Sequence, residues 1–128
     1  MERTIRCLLV DDDIDDREIF LMIAATVGDH IRCETAGNGV EALELLQNET
    51  GEKPQYIFLD VNMPKMNGLE CLEKIRRIES LKDCRVFMYS TTAEGSVVEK
   101  SKSLDAGFIV KPVDPNKLKE TLTAIIGP

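Results

Sequence analysis

Directly behind the apolar run "LLV", the stretch "DDDIDD" places Asp11, Asp12, Asp13, Asp15 and Asp16 within one short segment. Further along, Asp60 closes "YIFLD", Ser90 and Thr91 close "FMYST", and Lys111 follows "FIV". Carboxylates, a hydroxyl and an ammonium are the groups that handle a phosphoryl group and the cation that travels with it. Two carboxylates ~4 Å apart repel by about 4 kcal/mol at an effective dielectric of about 20, so acids gathered in one place require a cation among them. An all-oxygen donor set suits a hard divalent ion such as Mg2+, with Mn2+ as the alternative; Mg2+ takes one or two carboxylates and keeps waters and a phosphate oxygen. The ion and Lys111 would neutralise the phosphoryl oxygens and Ser90 would donate to one of them, which leaves a carboxylate as the nucleophile. Asp60 suits that role, aimed outward from a central strand while other acids hold the metal.

Distant residues meet only if the intervening elements bring them together. Five short apolar runs read as strands: "IRCLLV" (5–10), "IRCETA" (31–36), "YIFL" (56–59), "RVFMYS" (85–90) and "FIV" (108–110). The first, third and fourth are nearly continuous, as parallel strands covered on both faces should be, whereas "IRCETA" alternates and suits a half-covered position. Amphipathic patterns between and after them predict helices over Asp15–Val27, Val40–Gln47, Asn67–Ile78, Ser96–Ala106 and Pro115–Ile126. Asp114 and Pro115 read as N-cap and first-turn proline. Such alternation implies right-handed crossovers onto a parallel sheet with helices on both faces, an α/β fold whose sites form beyond the carboxyl ends of the strands. Asp11, Asp12, Asp60, Ser90, Thr91 and Lys111 all stand at those ends. After Asp60, "MPKMNG" supplies a proline that ends the strand and Gly68 for the turn into the next helix, leaving carbonyls that can face a cation. Lys111 precedes Pro112, which holds it extended and permits a cis peptide bond there.

Composition bounds the alternatives. The 128 residues fit one domain, and the 43% hydrophobic, 30% charged mixture is that of a globular protein. A net charge of −7 without a long Lys/Arg stretch argues against direct nucleic-acid contact and favours cationic ligands or basic partner surfaces. No segment is long and apolar enough for a membrane span and no signal peptide stands at the start, so a cytoplasmic protein is expected. Cys7, Cys33, Cys71 and Cys84 have no zinc-site spacing and read as buried, reduced thiols. The Asn48-Glu49-Thr50 sequon carries no weight outside the secretory route. His30 reads as solvated, Met63 and Met66 as packing residues.

Asp13, Asp15 and Asp16 read as N-cap and first-turn acids of a helix. A calcium loop starting at Asp11 fails, because Asp16 occupies the glycine position and Met22 the bidentate glutamate position. A haloacid-dehalogenase-like phosphatase, with Asp11 as nucleophile and Asp13 as acid, would have Ile14 where a Thr or Val is usual and would leave Asp60 unused.

Four segments, "LLVDDD", "YIFLDVNMPKMNG", "FMYSTT" and "GFIVKP", in this order and across essentially the whole chain, resemble the response regulator receiver domain of two-component signalling. The resemblance implies a flavodoxin-like (βα)5 fold with strand order 2-1-3-4-5 and one receiver domain over 1–128 with no output domain, as in stand-alone receivers. It implies that Asp11, Asp12, Asp60 and the Asn62 carbonyl bind Mg2+, and that Asp60 accepts a phosphoryl group from a sensor histidine kinase or a histidine phosphotransfer protein. Ser90 and Lys111 then hold the phosphoryl oxygens, Ser90 and Phe108 are the switch pair, and Asn62 and Thr92 tune phosphoryl loss to water. Here the switch hydroxyl is serine and the aromatic phenylalanine, so switching rests on packing rather than on a phenol hydrogen bond. The implied output surface comprises roughly Gly95–Ala106, Phe108–Val110 and Asp114–Ile126, which would bind a downstream protein or, on phosphorylation, a second copy. Such a module is a signalling switch rather than a dedicated enzyme.

Overall fold

The computed structural model describes residues 4–48 and 52–127. Its elements alternate: β1 (Ile5–Val10), α1 (Ile14–Val27), β2 (Ile31–Ala36), α2 (Gly39–Leu46), β3 (Tyr56–Asp60), α3 (Gly68–Arg76), a 3-10 turn (Glu79–Leu81), β4 (Arg85–Ser90), α4 (Gly95–Ser103), β5 (Ala106–Val110) and α5 (Pro115–Ile126). The five strands form one parallel sheet in the order β2-β1-β3-β4-β5. Strand order reverses between β1 and β3, so a crevice for a site opens beyond their carboxyl ends.

Because successive residues of a strand point to opposite faces, each central strand contributes to two cores. On one face α1 and α5 bury Phe20, Ala24, Leu118, Leu122 and Ile126 against Cys7, Leu9, Phe58 and Tyr89. Phe20 sits at the centre, 5.2 Å from the Phe58 ring and 5.9 Å from the Tyr89 ring. On the other face α2 and α3 bury Ala42, Leu43, Leu46, Cys71, Leu72 and Ile75 against Leu8, Val10, Ile57, Leu59, Val86 and Met88. The same alternation carries past the strand ends. Asp11, Asp60 and Lys111 continue the α1/α5 face, and Ser90 and Phe108 stand on the opposite one.

Side-chain caps begin four helices: Asp13 accepts from Asp16 N–H, Asn38 from Glu41 N–H, Asn67 from Glu70 N–H in a reciprocal capping box, and Asp114 from Asn116 N–H. The Glu94 side chain makes no such bond at the start of α4. Element ends differ from the sequence expectation by more than one residue in two places. α3 stops at Arg76, and the chain continues into the 3-10 turn that buries Leu81. α4 stops at Ser103 and β5 begins at Ala106, because Asp105 adopts a left-handed backbone (φ 57°) that turns the chain into the sheet. The Arg76 guanidinium holds that corner, donating to the carbonyls of Leu104 (2.9 Å), Cys84 (3.0 Å) and Asp105 (2.8 Å).

The four cysteines are free thiols, three of them buried and Cys33 partly so, as expected from their spacing. Cys7 and Cys33 are register partners on β1 and β2, and their mutual hydrogen bond, with burial, pushes the Cys7 thiol far up. His30 departs from expectation: it is partly buried, with its ring so close over Gly28 that a Cβ there would lie 2.4 Å from Cε1. Glu49 and Thr50 of the sequon lie outside the described residues. Among the described residues no helix is long and apolar enough to cross a membrane.

Truncating Phe20 empties the centre of the α1/α5 core. Phe20→Ala is expected to lower unfolding free energy by about 3–5 kcal/mol, measured as a shifted urea midpoint with an unchanged slope.

Candidate functional site

Three strand ends present a side chain in the same way. Asp11 accepts from the Asp13 N–H (3.0 Å), and Asp60 and Ser90 accept more loosely from the N–H groups of Asn62 and Thr92 (both 3.4 Å). A main-chain donor two residues on thus orients each oxygen as the chain leaves the sheet. All three residues are buried, with relative exposures of 0% for Asp11, 7% for Asp60 and 2% for Ser90. Arg17, one turn into α1, donates to the Asp11 carbonyl at 2.7 Å and ties the helix to the end of β1.

Lys111 joins these pieces. Its N–H donates to the Ser90 carbonyl at 2.7 Å, and its peptide bond to Pro112 is trans, not the cis form the sequence permits. Its Nζ lies 2.7 Å from Asp11 Oδ2, 3.0 Å from Asp16 Oδ2 and 3.6 Å from Asp60 Oδ2. The Tyr89 ring centroid is 5.4 Å from the same nitrogen, within cation–π range. Burial alone would push the lysine down, but hydrogen bonds to Asp11 and Asp16 outweigh it and hold Lys111 raised. Asp60 gains less from the shared ammonium. Its burial dominates, Asp11 adds repulsion, and its carboxyl is pushed up to about 6 although Lys111 pulls the other way.

Asp11, Asp12 and Asp60 each offer an oxygen within 4.8 Å of the other two. One ammonium, already bonded to Asp11 and Asp16, leaves negative charge uncompensated there, and the donors are all oxygen. That set fits a Mg2+-like ion, with the exposed β3–α3 loop, Asn62 included, beside it. The same loop depends on Gly68 for a reason beyond the expected turn: a Cβ there would lie 2.2 Å from the Asp60 carbonyl oxygen and 2.8 Å from Val61 Cα. The absence of a side chain lets α3 start against the backbone of Asp60, with Gly68 N–H donating to the Val61 carbonyl at 2.8 Å. Lys65, at the loop's tip, holds a left-handed backbone (φ 69°).

Beside Ser90, a small cleft of about 50 Å³ is lined by Val61, Asn62, Thr92, Glu94 and Val97. Phe108, paired in register with Met88, is partly buried against the α2/α3 core. Ser90 and Phe108 therefore lie on the α4 side of the sheet, and Lys111 on the α1 side. Asp13 is engaged as the N-cap and Asp15 is exposed in the first helical turn, which counts against Asp13 and Asp15 as the second and third ligands of a calcium loop and against Asp13 as the acid of the phosphatase alternative. Asp16 is the residue whose part the sequence did not show. Its first-turn position fits the helix-dipole reading, yet its carboxylate also pairs with Lys111.

The family model for the response regulator receiver domain matches residues 7–123. The chain belongs to that family. A chemotaxis protein CheY homolog of Campylobacter jejuni is 37% identical over 125 residues, spanning 95% of this chain and 92% of the relative. Among solved structures, the phosphorylated cyanobacterial phytochrome response regulator RcpA superposes with a TM-score of 0.86 at 25% identity, covering 95% of this chain and 91% of that one. A Mn2+-bound response regulator gives a TM-score of 0.80 at 25% identity over 94% and 90% of the two chains. The flavodoxin-like order 2-1-3-4-5 is thus observed in the sheet and shared with CheY-like receivers.

Asp60 ends β3, and its raised pKa has a consequence for stability. Because the folded state holds the carboxyl near 6 against an ordinary 3.8, the native protein favours the protonated form, and the stability this lends is lost as pH rises through that interval. Asp60→Asn, which cannot ionise, is therefore expected to be more stable than wild type by about 1–3 kcal/mol above pH ~6.5 without divalent ions, and no more stable below pH ~3.5. Thermal unfolding in EDTA across that range reads the difference directly.

Proposed function

We propose that this receiver domain is a phosphorylation switch in which Asp60 takes the phosphoryl group from a phosphohistidine of a sensor kinase or phosphotransfer protein. The observation that carries this is the setting of Asp60: buried at 7% exposure, at the end of the central strand, with Asp11 and Asp12 on one side and Lys111 3.6 Å away. An Asp60 oxygen attacks phosphorus, an O–P bond forms as the N–P bond breaks, and the imidazole leaves with its electron pair and takes a proton from solvent. Asp11, Asp12, Asp60 and the Asn62 carbonyl would hold Mg2+, which supplies charge neutralisation for the phosphoryl oxygens. Lys111 approaches the new phosphoryl group from the α1 side and Ser90 from the α4 side, so the anion is held between an ammonium and a hydroxyl.

The readout lies on the α4 side. Drawing the Ser90 hydroxyl toward Asp60 opens space at the cleft lined by Val61, Thr92 and Val97, and Phe108 follows by packing alone. α4 is built to yield, with no side-chain N-cap bond, one fully buried residue, Ser101, and the hydroxyl of that serine spent on its own helix at the Val97 carbonyl (2.7 Å). The α4, β5 and α5 surface then offers its changed shape to a downstream protein or to a second copy. Solved relatives named as phosphorylated and as Mn2+-bound support both halves of this chemistry.

Incubation with a small phosphoryl donor and Mg2+ tests the assignment. An acid-stable, base-labile acyl phosphate is expected on Asp60 in wild type, absent from Asp60→Asn and after EDTA, and strongly reduced in Asp11→Asn. Label on Asp11 that persists in Asp60→Asn would contradict it.

A further inference from the structure

Lys111 has three carboxylate neighbours, and two of them, Asp11 and Asp60, belong to the group that can hold a cation; Asp16 alone does not. It reaches the ammonium from the first turn of α1, where capping by Asp13 (Asp16 N–H to Asp13 Oδ1, 3.1 Å) fixes its backbone. Its side chain is 41% exposed, against 0% for that of Asp11. Water can therefore solvate Asp16 if the lysine leaves, whereas Asp11 has no such recourse. An ammonium has three donors, and at 3.6 Å Asp60 takes none of them in a good hydrogen bond.

We propose that Asp16 is a resting-state latch for Lys111, a positioning residue that the lysine must loosen from when it turns to a phosphoryl group on Asp60. The inference rests on Asp60 being the phosphoacceptor. A contact made more strongly in one state than in the other biases the equilibrium between them. Asp16 thus weights the switch toward its unphosphorylated form, and the Tyr89 ring, buried against Phe20, gives the ammonium a surface along which to shift without losing its cation–π partner. The pairing is local to α1, so the weighting can be altered without touching a metal-binding acid or the α4 surface.

The test is the affinity of the full chain for beryllofluoride, a phosphoryl mimic, in saturating Mg2+, followed by NMR, with Mg2+ affinity measured separately by calorimetry. Asp16→Asn is expected to bind beryllofluoride about three- to fivefold more tightly, the range a partly exposed ion pair supports, with Mg2+ affinity within about twofold of wild type. Asp15→Asn removes the same charge from the same helical turn at an exposed position and is expected to change neither. In a Lys111→Met background the Asp16→Asn gain should vanish, which a general effect of charge on folding or field would not produce. Unchanged or weaker binding in Asp16→Asn, an equal gain in Asp15→Asn, or a gain that survives without Lys111 would each overturn the latch. Beryllofluoride binding to neither wild type nor variant would overturn the phosphoacceptor assignment as well, and so separates the two.

Discussion

A single ammonium among three carboxylates is the contact on which the site depends. Lys111 bonds Asp11 from β1 and Asp16 from α1 and stands near Asp60 at the end of β3, so one cation ties together segments far apart in sequence. Yet one positive charge does not balance them. The remaining imbalance falls on Asp60, whose carboxyl is raised by burial and by Asp11 in spite of Lys111. A site left short of positive charge suits a divalent ion.

The sheet makes this possible through its period of two. Leu9, Phe58 and Ile109 face α1 and α5, and the next positions of that parity at the strand ends are Asp11, Asp60 and Lys111. Leu8, Leu59 and Met88 face the other way, and Ser90 and Phe108 continue their side. In the proposed switch this division would assign charge handling to one face and shape change to the other. Phosphoryl oxygens carried by Asp60 would lie beyond the edge of the sheet, within reach of both. Arg76 closes the far end of the arrangement by holding the α4–β5 corner on three carbonyls.

Much of this was legible in the residues. Apolar runs of strand length separated by amphipathic segments specify where strands end, and Asp11, Asp60, Ser90 and Lys111 stand at those ends with unmistakable chemistry. What could not be read shares a physical cause, namely partners that leave no pattern. Arg76 binds backbone carbonyls, which every residue has. Gly68 is needed for close approach of α3 to the Asp60 backbone, a constraint that resembles an ordinary turn glycine until the Cβ is placed. Asp16 satisfies the first-turn preference of any helix, and only the tertiary position of Lys111 gives it a second role. The early ends of α3 and α4 follow from the buried Leu81 turn and the left-handed Asp105, neither of which interrupts the helical pattern.

Burial and the neighbouring Asp11 hold the Asp60 carboxyl above its ordinary range in the metal-free site, and a divalent cation would pull it back down. Following the Asp60 side-chain carboxyl carbon by 13C NMR through a pH titration tests this most directly. Without Mg2+ the carboxyl is expected to titrate near the value of about 6 that burial and Asp11 impose, and with saturating Mg2+ its midpoint should fall well below that. A midpoint close to 4 that Mg2+ leaves unmoved would contradict it.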